Sequence, residues 1–247
     1  MVHFSPTGGT RRAALLLAGH IAGSVEEIDL CRPDAETRTF GKDDIVLVAG
    51  PVYGGRLPAL MAERLRAYRG EGAHAISTAV YGGRAYEDAL VELDDLLEEQ
   101  GFRVIASAAL LAEHSIVRPL AAGRPDAQDA AQLADFGARI AAKLEQGGTD
   151  APHTPGNRPY KEWAGMPAAP QATEACNACG TCARECPAQA IPPDDPRQTD
   201  AAKCITCMRC VAVCPQKARA LPAPVLQMLS QKLAPFMEKR QGNELYI

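Results

Sequence analysis

Two stretches, CNACGTCARECP at residues 176–187 and CITCMRCVAVCP at residues 204–215, divide this 247-residue chain. Each reads Cys-x2-Cys-x2-Cys-x3-Cys-Pro. All four cysteines and the proline recur 28 residues later, from 176 to 204, so the segment is an internal duplication. Eight of the nine cysteines lie between Cys176 and Cys214. Two-residue spacings wrap three thiolates around one face of an inorganic cluster, and the fourth ligand must then come from elsewhere. Duplication supplies it reciprocally. Structural zinc favours separated Cys-x2-Cys pairs over triplets. Disulfides need an oxidising compartment, which nothing else in the sequence indicates.

Each run matches the bacterial ferredoxin pattern, in which the fourth cysteine ligates the other cluster. The expected ligand sets are therefore Cys176, Cys179, Cys182 and Cys214 for one [4Fe-4S] cluster, and Cys204, Cys207, Cys210 and Cys186 for the other. Ligation of this kind contributes folding energy to a domain too small for a large core. Cys31, outside the array, is expected to be a packed or partly exposed thiol.

N-terminal to this repeat the pattern changes. Residues 1–150 hold 15 Lys+Arg against 22 Asp+Glu (net −7), and residues 151–247 hold 11 against 8 (net +3). Short β-branched runs at Val2–Phe4, Val25–Leu30, Ile45–Ala49, Ala75–Val80 and Val104–Leu111 read as buried strands. Helical stretches alternate with them at Thr10–Ala22, Pro58–Tyr68 and Arg84–Gln100. A fourth helix after Pro125 carries the stripe Leu133, Phe136, Ile140 and Leu144, and Gly147-Gly148 ends it. Such alternation predicts a doubly wound parallel sheet, with ligands bound beyond the carboxyl ends of the strands.

Three loops at those ends carry the candidate chemistry. Ser5-Pro6-Thr7-Gly8-Gly9-Thr10 leads from strand one into helix one, where hydroxyls and helix N-terminal N–H groups suit a phosphate. It is neither a P-loop nor G-x-G-x-x-G; the plainer reading is a tight turn with an N-cap. Pro51-Val52-Tyr53-Gly54-Gly55-Arg56 and Tyr81-Gly82-Gly83-Arg84 each place Tyr-Gly-Gly-Arg after a strand. Twin glycines admit close backbone approach to a planar ring on which a tyrosine stacks.

The loop Ser5–Thr10 resembles the flavodoxin phosphate loop. That resemblance implies an α/β flavodoxin-like sheet of order 2-1-3-4-5 with FMN at the loops after strands one, three and four. Ser5, Thr7, Gly8, Gly9, Thr10 and Arg11 would hold the phosphate. Pro51, Val52, Tyr53, Gly54, Gly55 and Arg56 would flank the isoalloxazine on one side, and Tyr81, Gly82, Gly83 and Arg84 on the other, with Tyr53, Tyr81 or Tyr86 stacking. His114 is either a flavin-side residue or an ordinary loop histidine.

The expected organisation is a flavodoxin-like domain at 1–148, a Pro-rich linker at 149–171, a small α+β two-cluster ferredoxin domain at 172–221, and a C-terminal helix and tail at 222–247. Linker prolines are Pro152, Pro155, Pro159, Pro167 and Pro170. Tyr160 and Trp163, the single tryptophan, are read as pinning the linker to a domain surface. As a whole the chain resembles the flavodoxin–ferredoxin fusion proteins often called EFR1 family ferredoxins. The resemblance implies an electron carrier linking a flavin, which exchanges one or two electrons, to clusters that each carry one. Two other readings stay open: an FMN-dependent reductase of a small organic substrate, and a ferredoxin with a flavin-free docking domain. A redox partner protein is implied. Lys203, Arg209, Lys217 and Arg219 form either its docking patch or a solvated face, and a homodimer is one possible assembly.

A net charge of −4 gives no field for nucleic acid, and no run approaches the roughly 20 apolar residues of a membrane helix. Met1-Val2-His3-Phe4 runs into a polar Gly-rich loop without secretory-signal architecture, which predicts a cytoplasmic protein.

Overall fold

The structure is a computed structural model that describes residues 1–166 and 168–247; Pro167, one of the expected linker prolines, lies outside the described residues. Its elements run β1 Val2–His3, α1 Gly9–Ala18, β2 Ile28–Asp29, β3 Thr39–Gly41, β4 Ile45–Pro51, α2 Ala59–Leu65, β5 Arg69–Glu71, β6 His74–Tyr81, α3 Ala89–Glu99, β7 Arg103–Leu111 and α4 Ala127–Glu145. β8 Gln171–Ala172, α5 Thr181–Arg184, α6 Arg209–Ala212, β9 Arg219–Ala220, α7 Ala223–Leu233 and β10 Glu244–Tyr246 follow.

The main sheet has the order β10-β7-β6-β4-β1-β2. β1, β2, β4, β6 and β7 are mutually parallel. Numbered one to five along the chain, they stand in the order 2-1-3-4-5, the doubly wound flavodoxin-like topology. β4 reads as a continuous apolar run because both its faces are covered. Val46 and Val48 belong to the core shared with α2 and α3, whereas Leu47 and Ala49 face the core shared with α1 and α4. Asp126 caps α4 with a capping box: its side chain accepts from Gln128 and Asp129 N–H, and Asp129 answers on Asp126 N–H.

The first three helices and the first two strands are shorter than expected, whereas β4, β6 and β7 run one or two residues longer. α1 stops at Ala18 instead of Ala22, and α3 begins at Ala89 because Gly83 takes φ +89° and Arg84 pairs with Glu87 to make a loop first. β10 was not foreseen. The tail expected after a C-terminal helix turns back as an antiparallel edge strand on β7, pairing Leu245 with Ala108. Asn243 anchors that turn by accepting from Leu111 N–H and donating to Asp129, whose carboxylate also pairs with the buried Arg124. α7 packs its Leu233 against Val117 and Leu120 in the loop after β7.

In the cysteine-rich part, β8 and β9 close the two ends antiparallel. α5 and α6 are one-turn helices holding the third cysteine of each repeat, Cys182 and Cys210. Among the described residues no helix is long and apolar enough to cross a membrane.

Candidate iron–sulfur and flavin sites

The duplication extends from sequence to backbone. Ala178 and Thr206 both take left-handed φ (57° and 51°), as do Gly180 and Met208 (74° and 63°) and Gln189 and Lys217 (49° and 51°), each pair 28 positions apart. Successive sign changes of this kind turn amide N–H groups inward to form anion-binding concavities. Ala190 N–H donates to Cys186 Sγ and Ala218 N–H to Cys214 Sγ, both at 3.3 Å.

Two voids result. One is lined by Cys176, Cys179, Cys182 and Cys214, with Ala218 and Arg219 on its wall. Cys186, Cys204, Cys207 and Cys210 line the other, with Ala190 and Ile191 in the corresponding places. All nine cysteines are free thiols. Among the described residues no three His, Cys, Asp or Glu side chains converge as they would on a single metal ion. Burial pushes the Cys207 thiol up to about 12 and the Cys210 thiol to about 11, whereas metal coordination deprotonates a thiol outright.

Arg219 supplies a second test of fit. It is 2% exposed, among the described residues it has no carboxylate partner, and its Nε is buried without an acceptor. Its Nη1 donates to Pro196 O at 2.8 Å and lies 3.7 Å from Cys182 Sγ; its Nη2 bonds Thr199. A buried cation needs a nearby anion, and a thiolate-ligated iron–sulfur cluster in the adjoining void provides one.

The two voids differ in position. Arg64 Nη2 donates to Pro187 O and its Nη1 to Leu30 O, both at 2.6 Å, tying the first repeat's proline to the loop after β2. Arg209 bonds Pro6 O at 3.3 Å and pairs with Glu185, and Ile205 packs on the sheet's core. Burial, and after it the fields of Cys207, Cys31 and Cys204, raise the Tyr53 phenol well above its ordinary range. The second void therefore faces the carboxyl-end loops of the sheet, while Cys179 of the first is exposed to solvent. Arg209 and Arg219 belong to this packing and not to a docking patch or a solvated face; Lys203 and Lys217 remain exposed. Cys31 is packed, its thiol raised by burial and by Asp29.

At the first flavin-type loop, Gly8 takes φ +87° as the N-cap of α1 without a side-chain cap bond. Ser5 Oγ accepts from Arg11 N–H at 2.8 Å and Gly8 N–H bonds Ser5 O. Among the described residues the amides of Thr7, Gly9 and Thr10 have no acceptor, and space around Gly8 is open. Three free donors at a helix N-terminus fit a phosphate. The Arg11 side chain turns instead to Glu27 (2.6 Å).

The ring loops are less uniform. Val52 N–H is held by Val80 O, joining the two loops' strands. Arg56 forks onto Glu92, and Arg84 onto Glu87. Tyr81 is buried and donates to Gly242 O, and Tyr86 bonds Tyr246 and Glu244, so both hydroxyls go to the C-terminal tail. His114 packs against Gly82, accepts Ile116 and Val117 N–H at Nδ1, and is held down to about 4 by burial beside Arg84, as befits a neutral structural histidine.

Trp163 and Tyr160 pin the linker to the surface of the sheet domain, as expected, and Trp163 does so at the second of the flavin-type loops. Its indole lies on Gly54, where any Cβ would overlap the ring, and it is 45% exposed. The linker reaches it by way of Tyr160 on Asp95, Lys161 N–H on Asp88 and Arg56 on Lys161 O. Then it continues to Ala168 O, which accepts from Thr206 in the second repeat at 2.6 Å. A tryptophan inside a Pro-rich segment carries no local signal of the glycine it will cover.

Residues 175–219 match the 4Fe-4S dicluster domain family. No curated protein sequence matches the chain. Solved structures that resemble it include rubredoxin oxygen:oxidoreductase from the anaerobe Desulfovibrio gigas (TM-score 0.37, 16% identity, 59% of this chain and 35% of that one). The metal-soaked flavodiiron core of Flv1 from Synechocystis sp. PCC6803 gives 0.40, 16%, 59% and 35%, and the Streptococcus pneumonia TIGR4 flavodoxin 0.39, 22%, 57% and 96%. The chain spans about a third of the length of the first two. Sheet order and cysteine pattern together make this a flavodoxin-like α/β domain joined to a 4Fe-4S ferredoxin-type domain, an arrangement suited to electron transfer.

Proposed function

We propose that the protein is an electron-transfer iron–sulfur flavoprotein of the flavodoxin–ferredoxin fusion type, passing single electrons between two [4Fe-4S] clusters and FMN. Cys176, Cys179, Cys182 and Cys214 would ligate an outer cluster, and Cys186, Cys204, Cys207 and Cys210 an inner one. The amides of Thr7, Gly9 and Thr10 would receive the FMN phosphate, with Pro51–Arg56 and Tyr81–Arg84 flanking the ring. Residues 1–148 form the flavin unit in this reading, and 172–221 the cluster unit. When bound, the flavin supplies two-electron capacity and each cubane one-electron steps.

One observation carries the reading. The second repeat abuts the sheet through Arg209 on Pro6 O after β1 and Ile205 on the core, Arg64 joins Leu30 after β2 to Pro187, and Cys179 of the first void is open to solvent. A partner meets the exposed cluster face, and the protein's own packing shields the inner segment from water. Anaerobic purification followed by counts of iron, sulfide and acid-released flavin tests this: about eight irons, four per cubane, with one FMN per chain are expected.

A ferredoxin with a flavin-free docking domain is the second reading. The observations that favour it are the seat of Trp163 on Gly54 and the pairing of Arg11, Arg56 and Arg84 within the protein. Full iron with no flavin, even after FMN is added, would select it and defeat the flavin assignments.

A further inference from the structure

The two halves of the duplication are not chemically equal. Beyond Cys186-Pro187 the first repeat reads Ala-Gln-Ala190-Ile191; beyond Cys214-Pro215 the second reads Gln-Lys-Ala218-Arg219. Ala190 and Ala218 perform the same task, each donating N–H to its cysteine at 3.3 Å. The next position breaks the symmetry. Ile191, 3% exposed, lines the void of Cys186, Cys204, Cys207 and Cys210. Arg219, 2% exposed, lines the void of Cys176, Cys179, Cys182 and Cys214, with Nη1 3.7 Å from Cys182 Sγ.

We propose that Arg219 is a positioning residue that sets the two clusters at different reduction potentials, the one held by Cys176, Cys179, Cys182 and Cys214 being the higher. This inference rests on the two-cluster reading above. Reduction adds one electron from an external reductant to a cluster, with no bond made or broken and no proton taken up. It makes an already anionic centre more negative. A guanidinium fixed beside that centre favours the reduced form, and among the described residues no carboxylate pairs with it to cancel its charge. Four protein oxygens hold it in place: the carbonyls of Pro170, Pro196 and Gln198 and the Thr199 hydroxyl. Arg184 and Arg197 also reach this half, at the carbonyls of Cys179 and Cys176, but both are exposed, so solvent and salt screen them. The isoleucine at the other site offers neither charge nor donor. The exposed cluster thereby becomes the resting place of the first electron, on the side where a partner protein can collect or deliver it.

The test is an EPR-monitored redox titration of the full-length, cluster-loaded chain with dithionite, with iron and sulfide counted on every sample. Wild type should give two separated one-electron midpoints. Arg219→Ile, which writes the first repeat's residue into the second, should lower the upper midpoint toward the lower; the lower one should move less, because the charge of Arg219 is felt at Cys204 and Cys210 but its guanidinium lines only the other void. Arg219→Gln should act in the same direction and carries the test if the isoleucine variant fails to assemble; Arg219→Lys, keeping the charge, should preserve most of the separation. An unmoved separation in the neutral variants at full iron content overturns the proposal alone. A wild-type count well short of about eight irons per chain overturns the two-cluster reading, and the proposal with it.

Discussion

The two regions of this molecule are held together by different physics. In the sheet and its covering helices, large side chains such as Phe4, Leu17, Leu93, Leu97 and Ile105 are essentially inaccessible, and two continuous cores clothe both faces. The cysteine-rich region musters one small buried cluster, Cys182, Ile191 and Cys210, and two of those three side chains are the thiols themselves. Apolar burial at about 25 cal/mol per Å² sustains the first; a region of some fifty residues with so few apolar neighbours needs ligation. The comparison teaches where each region is vulnerable. Removing a methyl-sized volume hurts the sheet, and removing metal hurts the repeat.

The largest expected effect follows from removing iron with a chelator under air. Limited proteolysis should then cut throughout residues 172–221 while a fragment covering the sheet persists; equal resistance of both regions would break the comparison. Leu97→Ala should do the reverse, costing the sheet about 2–5 kcal/mol in denaturant unfolding with no change in iron per chain.

One pH effect is expected where α3 packs on the sheet. Asp94 is buried under Ser77 and Ser107, and burial raises its carboxyl from 3.8 to about 6. Its folded-state value lies above its unfolded one, so its contribution is present in full below about 3.8 and is lost as pH rises through about 6. That amounts to about 3 kcal/mol at 1.36 kcal/mol per pH unit. Urea midpoints from pH 4 to 8 should fall for wild type relative to Asp94→Asn, with no matching change in iron content.

Smaller effects test the seam between the regions. Arg64→Ala removes charge-assisted bonds to Leu30 O and Pro187 O, worth about 1–3 kcal/mol. Faster hydrogen exchange around Cys31 and Tyr53 at full iron content is the expected reading. Gly54→Ala is the mildest change: at φ +61° and with the indole overhead, the added methyl must displace Trp163. A red shift and stronger quenching of its fluorescence should follow, while global stability falls by about 1 kcal/mol.

Much of this was legible beforehand. Strand-like runs such as Ile45–Ala49 became β4 because the consecutive apolar residues Val46–Ala49 can be covered only on both faces, and the 28-residue repeat carried over into matched backbone turns. β10 was not legible. Glu-Leu-Tyr is too short to show a period, and its pairing depends on Asn243 meeting Leu111 and Asp129 from over a hundred residues away. Nor was the fate of the arginines. Arg209 and Arg219 read as surface charge because a sequence lists charges without their partners, which are here the carbonyls of Pro6 and Pro196.

The sequence by itself determined the fold class, the alternation of elements and the 28-residue repeat of four cysteines and a proline, since period and spacing are local and act through the chain's own geometry. Only the tertiary structure decided which set faces the sheet, that Trp163 covers Gly54, that the tail becomes a strand, and that a buried arginine stands at one site where the other has isoleucine. Those outcomes depend on contacts between residues remote in sequence, where burial and partner choice outweigh local preference.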